Sequence, residues 1–136
     1  MYKIFWEGTM FYTTYFANVK NLPSTIVPVS ISLYSPPGWT GFEYKRLAPL
    51  SADFKRFKAT GNVDGFIEDY IRHTLQPLVI KDTVQEIIRL VGSQEIALVC
   101  YEGADKFCHR HIVSHWISSG GFLIREFGRR GESLCG

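Results

Sequence analysis

Residues with reactive side chains cluster within residues 100–110 of the sequence. Cys108, His109 and Arg110 are consecutive, Cys100 precedes them, and Glu102 adds a carboxylate. A thiolate is a nucleophile, an imidazole transfers protons near neutral pH, and a guanidinium binds phosphate or carboxylate through two parallel hydrogen bonds. We therefore predict that the functional site lies in this segment.

The elements around this segment suit a binding site. Residues 96–100 form a continuous apolar run, which predicts a strand covered on both faces, and residues 108–118 have the pattern of a helix. In an open α/β sheet, ligands bind beyond the carboxyl ends of the strands, where loops lead into helix N-termini. Such an N-terminus attracts anions and lowers the pKa of a thiol at Cys108. We expect a nucleotide or another phosphorylated ligand at this strand-to-helix turn.

Individual roles follow from this expectation. Arg110 would bind the anion, and Trp39, in the Pro- and Gly-rich loop 35–41, or Tyr101 would stack on a ring. The other residues that we predict to bind ligand are Cys100, Ser32, Tyr34 and Tyr12. Structural alternatives stay open: Arg110 pairs with Glu102, Cys100 is a small buried hydrophobe, and Trp39 packs on the core.

Catalysis is a second hypothesis for the same residues. Cys108 would be a nucleophile, or His109 and Glu102 an acid and base, in an enzyme acting on a nucleotide or nucleic acid. The spacing does not fit a phosphatase loop, because Lys106 stands where that loop has Arg. The sequence also has no Ser-His-Asp arrangement and no Gly-rich nucleotide loop. The sequence alone leaves open whether the protein is an enzyme.

A metal site is the next candidate, because Cys108, His109, His111 and His115 lie close together in the sequence. His111 and His115 are one helical turn apart and can share an ion. Cys108 and His115 are about 10 Å apart along a helix axis, which is too far. Zinc would require Cys100, Cys108 and one His to converge with a fourth ligand, without a recognisable paired spacing. We predict no metal and no cofactor, while a disulfide between Cys100 and Cys108 stays open.

The rest of the chain alternates strands and helices. We predict strands over residues 2–6, 10–16, 25–33, 96–100 and 122–127, and helices over residues 51–60, 64–75, 82–91 and 108–118, with a short helix near residues 15–20. Ser51 and Asp82 are predicted N-caps, and Gly61 and Gly92 are predicted to end their helices. This order indicates an α/β domain with a mixed or mostly parallel sheet flanked by helices.

Composition limits the remaining function classes. The 136 residues are 46% apolar, which suits one domain, assigned to residues 1–127, with a disordered tail over 128–136. A net charge of +2 does not favour nucleic acid as a partner. The three cysteines suggest no secreted disulfide framework, and no segment is long and apolar enough for a membrane span, so we expect a cytoplasmic protein. The aromatic content of 15% leaves room for a homo-oligomer or a protein-interaction module.

Several segments of the sequence resemble a known family. The segment Ala97-Leu-Val-Cys-Tyr-Glu102, followed by Phe107-Cys-His-Arg110 and Ile112-Val-Ser-His-Trp116, resembles the signature of the bacterial and phage family known as domain of unknown function 488. Tyr12-Thr-Thr-Tyr-Phe-Ala17 and Leu47-Ala-Pro49 are similar to stretches of its short members.

The resemblance implies a compact Rossmann-like domain, with a site formed by Cys100, Glu102, Cys108, His109 and Arg110. There is one departure from the family pattern. Members often carry Arg in a segment like Ile-Ser-Arg after the second strand, whereas this chain has Ile31-Ser-Leu33. If that Arg serves catalysis, the chain has kept the pocket and lost the reaction. One setting, by analogy alone, is a phage protein that sequesters a signalling nucleotide.

Overall fold

The computed structural model describes residues 8–101 and 108–128. The predicted strand over residues 2–6, the loop residue Glu102 and nearly all of the predicted tail lie outside these ranges.

The described residues form one five-stranded sheet in the order β3-β2-β4-β1-β5. Its strands are β1 (Met10–Tyr15), β2 (Val27–Ser30), β3 (Phe42–Glu43), β4 (Glu95–Cys100) and β5 (Ile124–Glu126). Each neighbouring pair is parallel. The predicted α/β fold is therefore confirmed, with a wholly parallel sheet among the described strands. The two-residue strand β3 was not predicted.

Four α-helices within the described ranges flank the sheet: α1 (Ser51–Thr60), α2 (Val63–Tyr70), α3 (Ile80–Val91) and α4 (His109–Ser119). Short 3-10 helices cover Phe16–Asn21 and Lys45–Leu47. The predicted helix over residues 64–75 continues beyond α2 as a π-helix over Ile71–Leu75, where the Gln76 N–H donates to the Ile71 carbonyl at 2.8 Å. No helix in the described ranges has both the length and the apolar character needed to cross a membrane.

The predicted helix ends at Gly61 and Gly92 and the predicted start of α1 at residue 51 are confirmed, whereas the predicted N-caps lie after the observed ones. Gly61 and Gly92 follow α1 and α3 with φ of 67° and 76°, in the left-handed region that glycine adopts without steric cost. The N-caps are Leu50 and Val79 rather than Ser51 and Asp82. Leu50 is extended and Ser51 is already the first helical residue, so Ser51 lies within the first turn of α1 and not before it.

The main core lies between the sheet and the α-helices. Along β4, Ile96, Leu98 and Cys100 face this core, and the alternate residues Ala97 and Val99 pack in a smaller cluster beside the first 3-10 helix. All five are nearly or completely buried, which agrees with a strand covered on both faces.

Parallel pairing determines where the loops meet. β2 pairs with β4, with Ser30 opposite Val99, and the Ile31 N–H donates to the Val99 carbonyl at 3.0 Å. The chain segments that follow these two strands therefore start side by side at one edge of the sheet. This edge is also where α4 begins.

Candidate functional site

A pocket lies at the carboxyl ends of β2 and β4, with a volume of about 290 Å³. We call it the β2–β4 pocket; it is lined by Ser32, Leu33, Tyr34, Pro49, Phe54, Phe57, Lys58, Phe66, Cys100, Tyr101, Cys108 and His109. One wall consists of the phenylalanine rings of α1 and α2, and the opposite end carries the sulfur atoms of two cysteines and an imidazole. This position at the end of neighbouring parallel strands is where α/β proteins usually bind ligands.

The segment after β2 forms one rim of the pocket. The Lys45 ammonium donates to the carbonyl oxygens of Ser32 and Leu33, at 3.0 and 2.7 Å. These bonds tie the rim to the 3-10 helix Lys45–Leu47. Leu33 lies in the pocket wall, and the exposed ring of Tyr34 lies beside it.

His109 is buried at the floor of the pocket, with its orientation fixed by a backbone group. Its Nε2 lies 2.8 Å from the Ile31 carbonyl oxygen. Because a carbonyl oxygen only accepts, Nε2 carries the proton and donates, and Nδ1 of the neutral ring keeps a lone pair. The Tyr70 ring contacts the imidazole edge-on, with centroids 5.3 Å apart. Burial, helped by the positive charge of Arg110, lowers the pKa of His109 to about 4.

The two buried cysteines are paired beside this imidazole. Cys100 at the end of β4 and Cys108 at the N-cap of α4 form a disulfide, with their Cα atoms 7.2 Å apart. The disulfide left open by the sequence is therefore present in the structure. Cys108 Sγ lies 3.9 Å from His109 Nδ1, so the lone pair of the imidazole faces the sulfur.

Arg110 lies behind the pocket and is fully buried. Its Nε and Nη2 donate to the two carboxylate oxygens of Glu126, at 3.1 and 3.0 Å, and Thr13 donates to the same carboxylate at 2.6 Å. Its Nη1 also approaches Cys100 Sγ at 3.5 Å. The guanidinium is thus enclosed by β1, β4 and β5. The sequence suggested a pair with Glu102, which lies outside the described residues; within them, Glu126 is an ion-pair partner of Arg110.

The structure brings many of the predicted site residues to one place. The β2–β4 pocket contains Cys100, Tyr101, Cys108, His109, Ser32 and Tyr34. Tyr12 lies elsewhere, against Phe127 and below the Arg125 guanidinium. Trp39 packs edge-on against Phe16 and donates to the Phe42 carbonyl at 3.1 Å. Neither ring lines the pocket, so stacking of either on a ligand bound there stays a prediction without geometric support.

Sequence reasoning missed the aromatic wall. The residues that we predicted to bind ligand do not include Phe54, Phe57, Phe66 or Lys58. In the structure the Lys58 ammonium lies 5.5 Å from the centre of the Phe54 ring. The low apolar content of α1 apart from its phenylalanines was the available signal, because such a helix covers little core on its own.

A comparison with known families decides the relationship suggested by the sequence. Residues 40–117 match the family "domain of unknown function DUF488". The chain belongs to this family. The match includes β3, β4, α1 to α3, most of α4 and both cysteines of the pocket, and it begins after the rim that follows β2. No curated protein and no solved structure gives a significant match to the chain.

Proposed function

We propose that this DUF488 protein binds a mononucleotide, or another small ligand with a flat ring and a phosphate, in the β2–β4 pocket. The observation that carries the proposal is the pairing of an aromatic wall with a cation in one concave site. Phe54, Phe57 and Phe66 offer apolar surface for a ring, and Lys58 lies on the same wall. A volume near 290 Å³ is at the lower end of small-molecule pockets, which favours a mononucleotide over a dinucleotide.

Anion binding in this proposal differs from the prediction made from sequence. Because Arg110 is buried and bound by Glu126, the phosphate is assigned to Lys58 and to the backbone N–H groups at the start of α4. Arg110 then acts as a positioning residue: its contacts with Glu126 on β5 and with Cys100 on β4 anchor the first turn of α4 to the sheet.

The test is a thermal-shift screen of mononucleotides, cyclic nucleotides and sugar phosphates, followed by calorimetry on any compound that raises Tm. We expect Lys58→Gln to weaken binding about tenfold, which corresponds to 1.4 kcal/mol. Lys55→Gln is the matched control, because Lys55 is exposed on the same helix outside the pocket lining. Absence of any shift across the screen, or equal losses in both variants, would sink the proposal.

Catalysis is the second candidate, favoured by the contact between Cys108 and His109. With the disulfide reduced, the Cys108 thiol faces the lone pair of His109 Nδ1, and the Ile31 carbonyl fixes the ring, which is the arrangement of an activated nucleophile. Glu102, predicted as an acid or base, stays a hypothesis. Mass spectrometry of a bound ligand after incubation with reduced protein separates the candidates. Unchanged ligand indicates binding, whereas a mass change that disappears in Cys108→Ser indicates turnover.

We further propose that the protein acts in the cytoplasm, where the thiols of the pocket are kept reduced. The homo-oligomer predicted from the aromatic content, and the alternative role as an interaction module, are tested together by light scattering during size-exclusion chromatography. A single monomeric mass over a wide concentration range would contradict the homo-oligomer.

A further inference from the structure

Three potential metal ligands converge at the floor of the β2–β4 pocket, although the sequence places one of them on a different element. Cys100, Cys108 and His109 each offer one ligand atom, and these atoms lie within 4.8 Å of one another. All three residues are buried and line the pocket. From these contacts we infer that the reduced protein binds a zinc ion through Cys100 Sγ, Cys108 Sγ and His109 Nδ1.

The distance between Cys108 Sγ and His109 Nδ1 suits a tetrahedral ion. With Zn–S bonds near 2.3 Å and Zn–N bonds near 2.0 Å, neighbouring ligand atoms are roughly 3.5–3.8 Å apart. Cys108 Sγ and His109 Nδ1 are 3.9 Å apart. The two sulfur atoms are bonded to each other in the structure, so reduction of the disulfide must separate them before an ion can bind between the three ligand atoms.

The groups behind the ligands match those that support metal sites. A histidine ligand usually donates its second ring N–H to a carbonyl or carboxylate, and His109 Nε2 donates to the Ile31 carbonyl at 2.8 Å. Arg110 Nη1 lies 3.5 Å from Cys100 Sγ, so a positive charge faces one of the required thiolates. Because Nε2 is the atom that donates, the lone pair of His109 Nδ1 is left for a metal ion.

The coordination predicts how such an ion would be used. The described residues supply a cluster of two cysteines and one histidine, and the fourth tetrahedral position faces the pocket. Sites with three protein ligands and one open position are typical of zinc that binds or activates a ligand, whereas purely structural zinc has four protein ligands. The inference rests on these three side chains alone and does not depend on nucleotide binding.

The first experiment measures metal uptake by the full chain after reduction with a phosphine and removal of free metal. Cobalt(II) is the spectroscopic probe, and zinc is then added to displace it. We expect about one ion per chain, a sulfur-to-cobalt charge-transfer band, and the visible bands of tetrahedral cobalt. If the reduced protein takes up no cobalt, or shows octahedral bands without sulfur ligation, the inference is wrong.

Variants then identify the ligands. Cys108→Ser and His109→Gln each remove a direct ligand and are expected to lower zinc affinity more than about 100-fold, beyond the 10–100-fold typical of residues behind the ligands. His111→Gln is the matched control, since His111 is the next histidine on α4 and is not part of the cluster. Circular dichroism checks that each variant is folded. Retained affinity in either ligand variant, or an equal loss in His111→Gln, overturns the assignment.

The zinc site and the proposed nucleotide binding can be refuted independently of each other. Cobalt uptake is measured without nucleotide, and the thermal-shift screen is run with chelator and repeated with zinc. Metal uptake without any nucleotide response would refute the proposed function alone. A nucleotide response in chelator together with no metal uptake would refute the zinc site alone.

Discussion

The first turn of α4 divides the molecule into two polar regions that differ in accessibility. On one side, Arg110 forms a closed cluster with Glu126 and Thr13, which we call the Arg110 cluster. On the other side, Cys108 and His109 form the floor of the β2–β4 pocket. Arg110 is therefore enclosed among other elements, whereas its sequence neighbours Cys108 and His109 line a pocket. Consecutive reactive residues on a helix project in different directions, so chemical type alone does not tell which of them faces a ligand.

The largest expected effect is loss of the carboxylate from the Arg110 cluster. Glu126→Ala removes the carboxylate to which Arg110 Nε and Nη2 donate, which we expect to lower the free energy of unfolding by about 3–5 kcal/mol. Urea unfolding measures the change. Replacing both partners, in Arg110→Met with Glu126→Leu, is expected to recover most of the loss. A change below about 1 kcal/mol in the single variant would show that the pair is not closed in solution.

The pH dependence of stability separates His109 from this cluster. The pKa of His109 is lowered to about 4 in the fold, against 6.5 for an ordinary histidine, mainly because of burial. The unfolded chain therefore binds this proton first as pH falls. The contribution of neutral His109 to the free energy of unfolding is fully present above pH 6.5. It falls by about 2–3 kcal/mol as the pH is lowered towards 4.

The measurement compares wild type with His109→Gln, in reductant and chelator, across this pH range. The charges that oppose protonation are those of Arg110 and His111, and the Ile31 carbonyl favours it. The difference in unfolding free energy between the two proteins should shrink as pH falls. A difference that is constant from pH 7 to pH 4 would contradict burial of the imidazole.

Tyr70 tests the packing that supports the pocket floor. Its hydroxyl is buried and donates to the Leu47 carbonyl at 2.6 Å, while its ring contacts His109. Tyr70→Phe keeps the ring but leaves that carbonyl without this donor, and we expect a loss of about 1–2 kcal/mol. Tyr34→Phe is the control, because the Tyr34 side chain is largely exposed. Equal effects of the two changes would count against this role.

The smallest expected effect on stability is at the pocket wall. Lys58 is exposed, so Lys58→Gln should change the free energy of unfolding by less than about 0.5 kcal/mol, although it weakens ligand binding. Thermal unfolding without ligand checks this. A large destabilisation would place Lys58 with the structural residues and remove the contrast between the two regions.

Much of the fold could be predicted from local sequence. The apolar run before Cys100, the periodic apolar residues of α1 to α4, and the glycines at 61 and 92 identify elements that form for local reasons. Helix N-caps were harder to predict, because an extended residue such as Leu50 or Val79 serves as N-cap without the side-chain signal that marks Ser or Asp.

The location of the site could be predicted from sequence, but the contacts of its individual residues could not. Composition and order indicated residues 100–110 as the functional segment, since reactive side chains follow a buried strand and open a helix. The partner of Arg110 comes from β5, and the aromatic wall comes from α1 and α2. Contacts between distant segments are set by sheet order and helix packing, which no local pattern encodes.

By itself, the sequence determined that a strand, a loop and a helix present thiol, imidazole and guanidinium groups at the edge of an α/β sheet. Only the tertiary structure decided that Arg110 is enclosed with Glu126 while Cys100, Cys108 and His109 share one pocket. The physical reason is that burial and pairing depend on which elements surround a side chain. A buried guanidinium requires a carboxylate, and Glu126 is brought to it by strand pairing across β1.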